Sequence, residues 1–157
     1  MRHGGTIDKY IGDGMMVLWG APRPLADAPV RAALAALELQ QVVEARNARW
    51  VAAGLPRPHT RVGLHTGKAV AGVLGSSERL SFTAYGDTVN VASRIEAMNK
   101  QLHTRILASA ATAAALHGRI VLRACGEVEL RGRSGRWPLY EVLGAQAPDA
   151  AAMPASD

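Results

Sequence analysis

The sequence predicts an α+β domain, and three stretches carry that reading. Two short runs with strand alternation bracket Gly12-Asp13-Gly14, and Asp-Gly between such runs is a strong hairpin signal. A long alanine-rich helix starts at Asp27 and Pro29 and is stopped by Gly54-Leu55-Pro56. A β-rich run then ends at Tyr85-Gly86 and passes into a second helix. There Val91, Ile95, Met98 and Leu102 recur at i, i+4, i+7 and i+11, the face that packs on a core.

Taken in order, Arg2-His3-Gly4-Gly5 reads as the close of a helix running into a turn. Thr6 to Ile11 and Met15 to Trp19 are the paired strands, and their turn lifts Asp13 to an exposed end of the sheet. Alternation puts Lys9 on the side opposite Asp8. The first long helix runs to about Ala53, with Val30, Ala33, Leu34 and Leu37 as its buried stripe. Thr60 to Leu64 and Ala69 to Leu74 are expected to form a second hairpin across Thr66-Gly67, and Gly75 to Arg79 a loop. Asp87 is placed to N-cap the second helix, which ends near Leu102. A short strand over Arg105 to Ala108 and a helical turn to about Leu116 follow. Ile120 to Leu130 and Pro138 to Val142 read as strands around an arginine-rich loop, Arg131 to Arg136. From Ala145 the composition is that of a disordered tail, so the chain divides into a domain over 1–144 and a tail over 145–157.

Composition narrows the function classes. At 157 residues and 48% apolar content the chain fits one domain with a real core. No apolar run is long enough to span a membrane, so this segment is expected to make no direct membrane contact. The single Cys125 forms no internal disulfide and fits a reducing, cytoplasmic compartment, wherever the parent protein is anchored. The net charge of +5 suits a polyphosphate ligand. Nucleic acid is not expected, because the arginines are dispersed and aromatics make up only 4% of the chain.

Some motifs fail on inspection. Gly63-Leu64-His65-Thr66-Gly67-Lys68 is one residue short of a phosphate loop, lacks the following Ser or Thr, and leads into a strand. His59 and His65 lie roughly 20 Å apart on an extended segment, too far to share a metal. Asn90 and Arg94, four apart on the second helix, project an amide and a guanidinium side by side. Such a pair can hold a ring oxygen and a phosphate of one ligand, or can simply be a solvated face. The arginine-rich loop can likewise cradle phosphates or be a solvated hairpin tip.

Three blocks tip that balance. Phe82-Thr83-x-Tyr85-Gly86-Asp87-Thr88-Val89-Asn90-Val91-Ala92-Ser93-Arg94 resembles the signature of class III nucleotide cyclases. Lys9-Tyr10-Ile11-Gly12-Asp13-Gly14 and Arg61-Val62-Gly63-Leu64-His65-Thr66-Gly67 resemble two more of its blocks, in the same order. The resemblance covers about Arg2 to Leu143 and implies a ferredoxin-like nucleotide cyclase fold. It implies an adenylate cyclase that turns ATP into 3′,5′-cyclic AMP and pyrophosphate, with Mg²⁺ or Mn²⁺ as two ions per site. By that resemblance Asp13 is a metal ligand, Lys9 and Thr83 read the adenine, Asn90 orients the ribose and Arg94 binds the transition-state phosphate. Arg131 falls where relatives place a lysine against the terminal phosphates. The Lys–Thr pair is similar to that of many bacterial and soluble adenylyl cyclases rather than the Glu–Cys pair of guanylyl cyclases. Both halves of a shared site are carried here, which implies a homodimer.

The resemblance also sets an expectation of incompleteness. The family opens with a strand bearing a second metal Asp, then two helices, and no counterpart precedes Thr6 here. The expectation is therefore a cyclase fold lacking its first strand and first two helices, inactive or weak as this chain. Upstream receptor or regulatory domains in the full-length protein are implied. The alternative is a non-catalytic cyclase-like module for dimerisation or nucleotide-binding regulation.

Overall fold

The computed structural model describes residues 2–76 and 79–146, without side chains over 75–81. Eleven elements follow in the order β1 (Thr6–Ile11), β2 (Gly14–Leu18), α1 (Ala28–Ala52), β3 (Val62–Leu64), β4 (Val70–Ser76) and β5 (Arg79–Tyr85). Then come α2 (Asp87–Leu102), β6 (Ile106–Ser109), α3 (Ala110–Ala115), β7 (Ile120–Glu129) and β8 (Arg136–Ala145). Strands β3, β6, β8 and β7 form one sheet in that order, while β1–β2 and β4–β5 are separate antiparallel ribbons.

Strand β6 explains why two helices are needed. All four of its residues are buried, and alternate side chains point to opposite faces. Ile106 and Ala108 join Val30, Ala33 and Ala36 of α1, whereas Leu107 joins Val91 and Ile95 of α2. The sheet is thus covered on both faces at its centre. Alanines at 32, 33 and 36 are buried, so the small residues of α1 are what lets the helix lie close on the sheet. The expected stripe of α2 holds, with Val91 and Ile95 fully buried and Met98 and Leu102 packed beside them.

Close approach fixes α2 as well. A Cβ on Gly63 would stand 2.3 Å from the Glu96 nitrogen and 2.4 Å from the Ala92 carbonyl oxygen, so β3 and α2 touch backbone to backbone. At the far end of the helix, Asn99 donates to the Val62 carbonyl at 3.0 Å and accepts from the Thr104 hydroxyl at 2.9 Å.

Several expectations are corrected. The second hairpin does not exist: β3 pairs in parallel with β6, and β4 pairs with β5 instead. A three-residue strand flanked on one side by a distant partner carries no local signal of that partner. Strands β4 and β5 reach Ser76 and Arg79, shortening the expected loop, and positions 77–78 lie outside the described residues. Asp87 is the first residue of α2 rather than its cap, a place taken by Gly86 at φ 135°. As expected, α1 starts at Asp27, which takes the N-cap position; its carboxylate makes no capping bond and accepts from Arg119 at 2.8 Å instead. Strand β8 extends through Ala145, one residue into the expected tail, and residues 147–157 lie outside the described residues.

Candidate active site

The α2 helix and the two ribbons position the candidate residues in two groups. The first group forms where β1 meets β5. Register slips between Ile7 and Lys9, leaving Asp8 as the extra residue of a bulge, and a bulge re-aims side chains. Asp8 has no exposed side-chain surface. Its Oδ2 accepts the Thr83 hydroxyl proton at 2.8 Å and the Ala84 N–H at 3.4 Å. The Lys9 ammonium stands 3.9 Å from the same oxygen and 5.5 Å from the centroid of the Tyr85 ring. The expectation that Lys9 and Asp8 face apart is therefore corrected; the bulge breaks the alternation on which it rested. Lys9 and Thr83 are gathered around one buried carboxylate.

The second group lies on the first turns of α2 and the loop between β7 and β8. Asn90 is exposed and Arg94 half-buried on the helix. The Arg94 guanidinium comes within 3.6 Å of where a Cβ on Gly132 would lie, so it sits directly under that loop. Gly132 has φ 68°, a left-handed turn that glycine adopts without strain. Arg133, next in the loop, donates to the Asp87 carboxylate and lies over the Trp137 ring at 5.2 Å. Leu130, buried at the loop's entry, anchors it. Arg131 is exposed on the same loop. Arg94 and the loop's Arg131 and Arg133 thus lie on neighbouring elements at the start of α2, with Arg133 paired to Asp87; guanidinium groups of this kind suit phosphates.

Asp13 is placed apart from both groups, exposed at the tip of the β1–β2 turn with Gly12 at φ 60°. Among the described residues no group of three His, Cys, Asp or Glu could hold a metal ion. Mg²⁺ keeps waters and substrate phosphates among its ligands but takes one or two carboxylates per ion, and one exposed Asp is short of that for two ions. The described residues alone therefore do not fit a two-ion site.

His65 packs inside the fold. Its Nδ1 is 2.8 Å from the Ser109 hydroxyl and its ring meets Trp137 edge-on at 6.3 Å. Burial holds its imidazole below the ordinary range; Asp87 pulls the other way and Arg133 adds to the lowering. Two contributors escaped the sequence: Asp8, hidden by the bulge, and Arg133, one of three arginines in a loop with nothing local to single it out. No described helix is long and apolar enough to cross a membrane.

The sheet, the strand–turn–helix unit through Gly86 and the arginine loop over α2 define a domain of the nucleotide cyclase type. The chain belongs to the adenylate and guanylate cyclase catalytic domain family, whose model matches residues 5–144. It is 44% identical over 142 residues to Adenylate cyclase 1 of Rhizobium meliloti (strain 1021). That alignment takes in 90% of this chain and 21% of the relative, so the chain spans about a fifth of that protein's length. The adenylyl cyclase CyaB from P. aeruginosa superposes at a TM-score of 0.82 with 29% identity, over 92% of this chain and 74% of that one. The guanylyl cyclase Cya2 superposes at 0.80 with 31% identity, over 95% and 75%. Members of this family work with divalent metal ions.

Proposed function

We propose that this domain converts ATP to 3′,5′-cyclic AMP and pyrophosphate, at a site completed by a second copy of the chain. The observation that carries the choice of ATP is the meeting of Lys9 and Thr83 on Asp8. An ammonium donor beside a hydroxyl acceptor complements the ring nitrogen and amino group of adenine. Relatedness to a named adenylate cyclase at 44% identity supports the same choice.

The reaction is phosphoryl transfer within one molecule: the ribose 3′-oxygen bonds to the α-phosphorus as the bond to pyrophosphate breaks. The chain's part is to position and to neutralise charge. Asn90 orients the ribose. Arg94 meets the charge that grows on the α-phosphate, and a fixed guanidinium there lowers the barrier because it needs no rearrangement. Arg131 faces the terminal phosphates, while Arg133 holds its loop down on α2. Divalent ions, Mg²⁺ or Mn²⁺, belong to the reaction through the family, with Asp13 as the one carboxylate proposed as a ligand. The described residues do not complete the site of those ions.

The partner is proposed to be a second copy. Supporting this, the β1–β2 and β4–β5 ribbons leave Tyr10, Ile11, Val70 and Val73 largely exposed, Tyr10 at 72% and Val70 at 75%. An apolar surface of that kind favours association. The reading extends to a cytoplasmic domain controlled by other parts of a longer protein, supported by the length of its relative. A non-catalytic nucleotide-binding module is the second reading, favoured by the lone Asp13 carboxylate. Incubating the full-length protein with equal ATP and GTP decides between them. Cyclic AMP in clear excess is expected; equal cyclic GMP, or neither product, would overturn the proposal.

A further inference from the structure

Asp8 touches no reacting group of the proposed chemistry, and its surroundings are unusual. Its side chain is wholly buried, yet every donor it meets falls on one oxygen. The other, Oδ1, is buried with no hydrogen-bond partner among the described residues. A buried polar group kept only for the fold is normally satisfied on both sides. Half-satisfied groups survive mainly where they serve a site.

We propose that Asp8 is the positioning residue that makes the base site selective for adenine, by fixing which way the Thr83 hydroxyl and the Lys9 ammonium point. A threonine hydroxyl has one proton and two lone pairs, and its rotor ordinarily turns to suit whatever it meets. A carboxylate only accepts, so the Asp8 Oδ2 at 2.8 Å takes the Thr83 proton inward. What Thr83 offers a ligand is then a lone pair alone. Lys9, 3.9 Å from the same oxygen, is drawn to the same place and offers only donors. Thr83 is 3% exposed, so its hydroxyl is held by protein rather than free to turn in water.

The edge so formed is donor and acceptor, fixed in polarity. Adenine presents the complement, a bare ring nitrogen and an amino group. Guanine presents the reverse, a ring N–H and a carbonyl oxygen, and would set donor against donor and acceptor against acceptor. A mismatch of this kind discriminates strongly because the buried groups are left unpaired. Bulge, burial and charge thus act together: the extra residue at Asp8 turns its side chain from the face of the ribbon toward β5.

The inference rests on the proposed adenylate cyclase reading, and one series of measurements separates the two. In the full-length protein, kcat/KM for ATP and for GTP is compared in the parent, Asp8→Asn, Thr83→Val and the double variant, with competitive binding of ATP and GTP as a second readout. The parent's own preference tests the reading: no preference for ATP overturns it and this inference together. With that preference in hand, Asp8→Asn should lower the ATP-to-GTP ratio by about tenfold or more, since its amide can donate to Thr83 and free the hydroxyl proton for a carbonyl. In the Thr83→Val background the same substitution should change the ratio by less than about twofold. An Asp8→Asn variant that loses thermal stability but keeps the parent ratio would show a structural anchor and overturn the inference. If Asp8→Asn does not fold, Thr83→Val alone decides: an unchanged ratio overturns it.

Discussion

Arg133 donates to the carboxylate of Asp87 and spreads over Trp137, tying the β7–β8 loop to the first turn of α2. Arg94 approaches Gly132 from beneath, so this tie sets the height of the loop above the Arg94 guanidinium.

Breaking the tie should disturb substrate more than fold. Asp87 is more than half exposed, and pairs of that kind contribute about 0–1 kcal/mol to stability. Arg133→Ala is expected to raise the KM for ATP by about tenfold, since one charged hydrogen bond fixes the loop. The melting temperature should change by less than about 4 °C. Steady-state kinetics and a thermal melt on the same preparation check both. Arg133→Lys should rescue only in part, because an ammonium neither forks to the carboxylate nor stacks on the indole.

Arg94 should behave in the opposite way. Its proposed partner is charge that exists only in the transition state, so Arg94→Ala should lower kcat by about 10²–10³-fold with little change in KM. Asn90→Ala should lower kcat by about tenfold, as an orienting rather than a charge-bearing group. A loss confined to KM in Arg94→Ala would assign it to ground-state binding.

The contact between β3 and α2 predicts a stability defect remote from the chemistry. Gly63→Ala places a methyl group against backbone atoms of Ala92 and Glu96, which cannot swing aside as a side chain would. The helix must shift, and overpacking of this kind costs about 1–3 kcal/mol. A fall of about 3 °C or more in melting temperature is expected. An unchanged melt would show that β3 and α2 separate freely.

His65 sets a pH dependence. Burial lowers its folded-state pKa, so the neutral ring is the form that suits the fold. Its contribution is therefore complete above the ordinary histidine value of about 6.5 and is lost as pH falls through the lowered folded value. Melting temperatures of the parent and of His65→Gln, measured at pH 8 and at pH 5, check this. The parent's advantage should shrink at the lower pH, where protonation of the buried ring opposes folding.

Much of this was legible in local pattern. The β1–β2 turn, the span of α1 and the buried stripe of α2 follow from glycine, proline and apolar spacing that act within a few residues. The partner of β3 was not, because Val62–Leu64 pairs with Ile106–Leu107–Ala108 across more than forty intervening positions, and nothing in either run names the other. The candidates Lys9, Thr83, Asn90, Arg94, Asp13 and Arg131 were all visible as residues, but the contacts around Lys9 and Thr83 and around Arg94 were not. Asp8 owes its position to a bulge, and Arg133 owes its position to an acid that the pattern assigned to capping.

In the proposed enzyme two copies of the chain together build a site that cyclises ATP, with Asp13 contributed by one copy and Arg94 by the other. Full-length Asp13→Ala and Arg94→Ala should each form almost no cyclic AMP alone. Mixed in equal amounts under conditions where subunits exchange, half the dimers carry both lesions on opposite chains, and each such dimer keeps one intact site. Cyclic AMP formation should then return to about a quarter of the parent rate. No recovery, with mixed dimers demonstrated by differential tagging, would contradict the shared site.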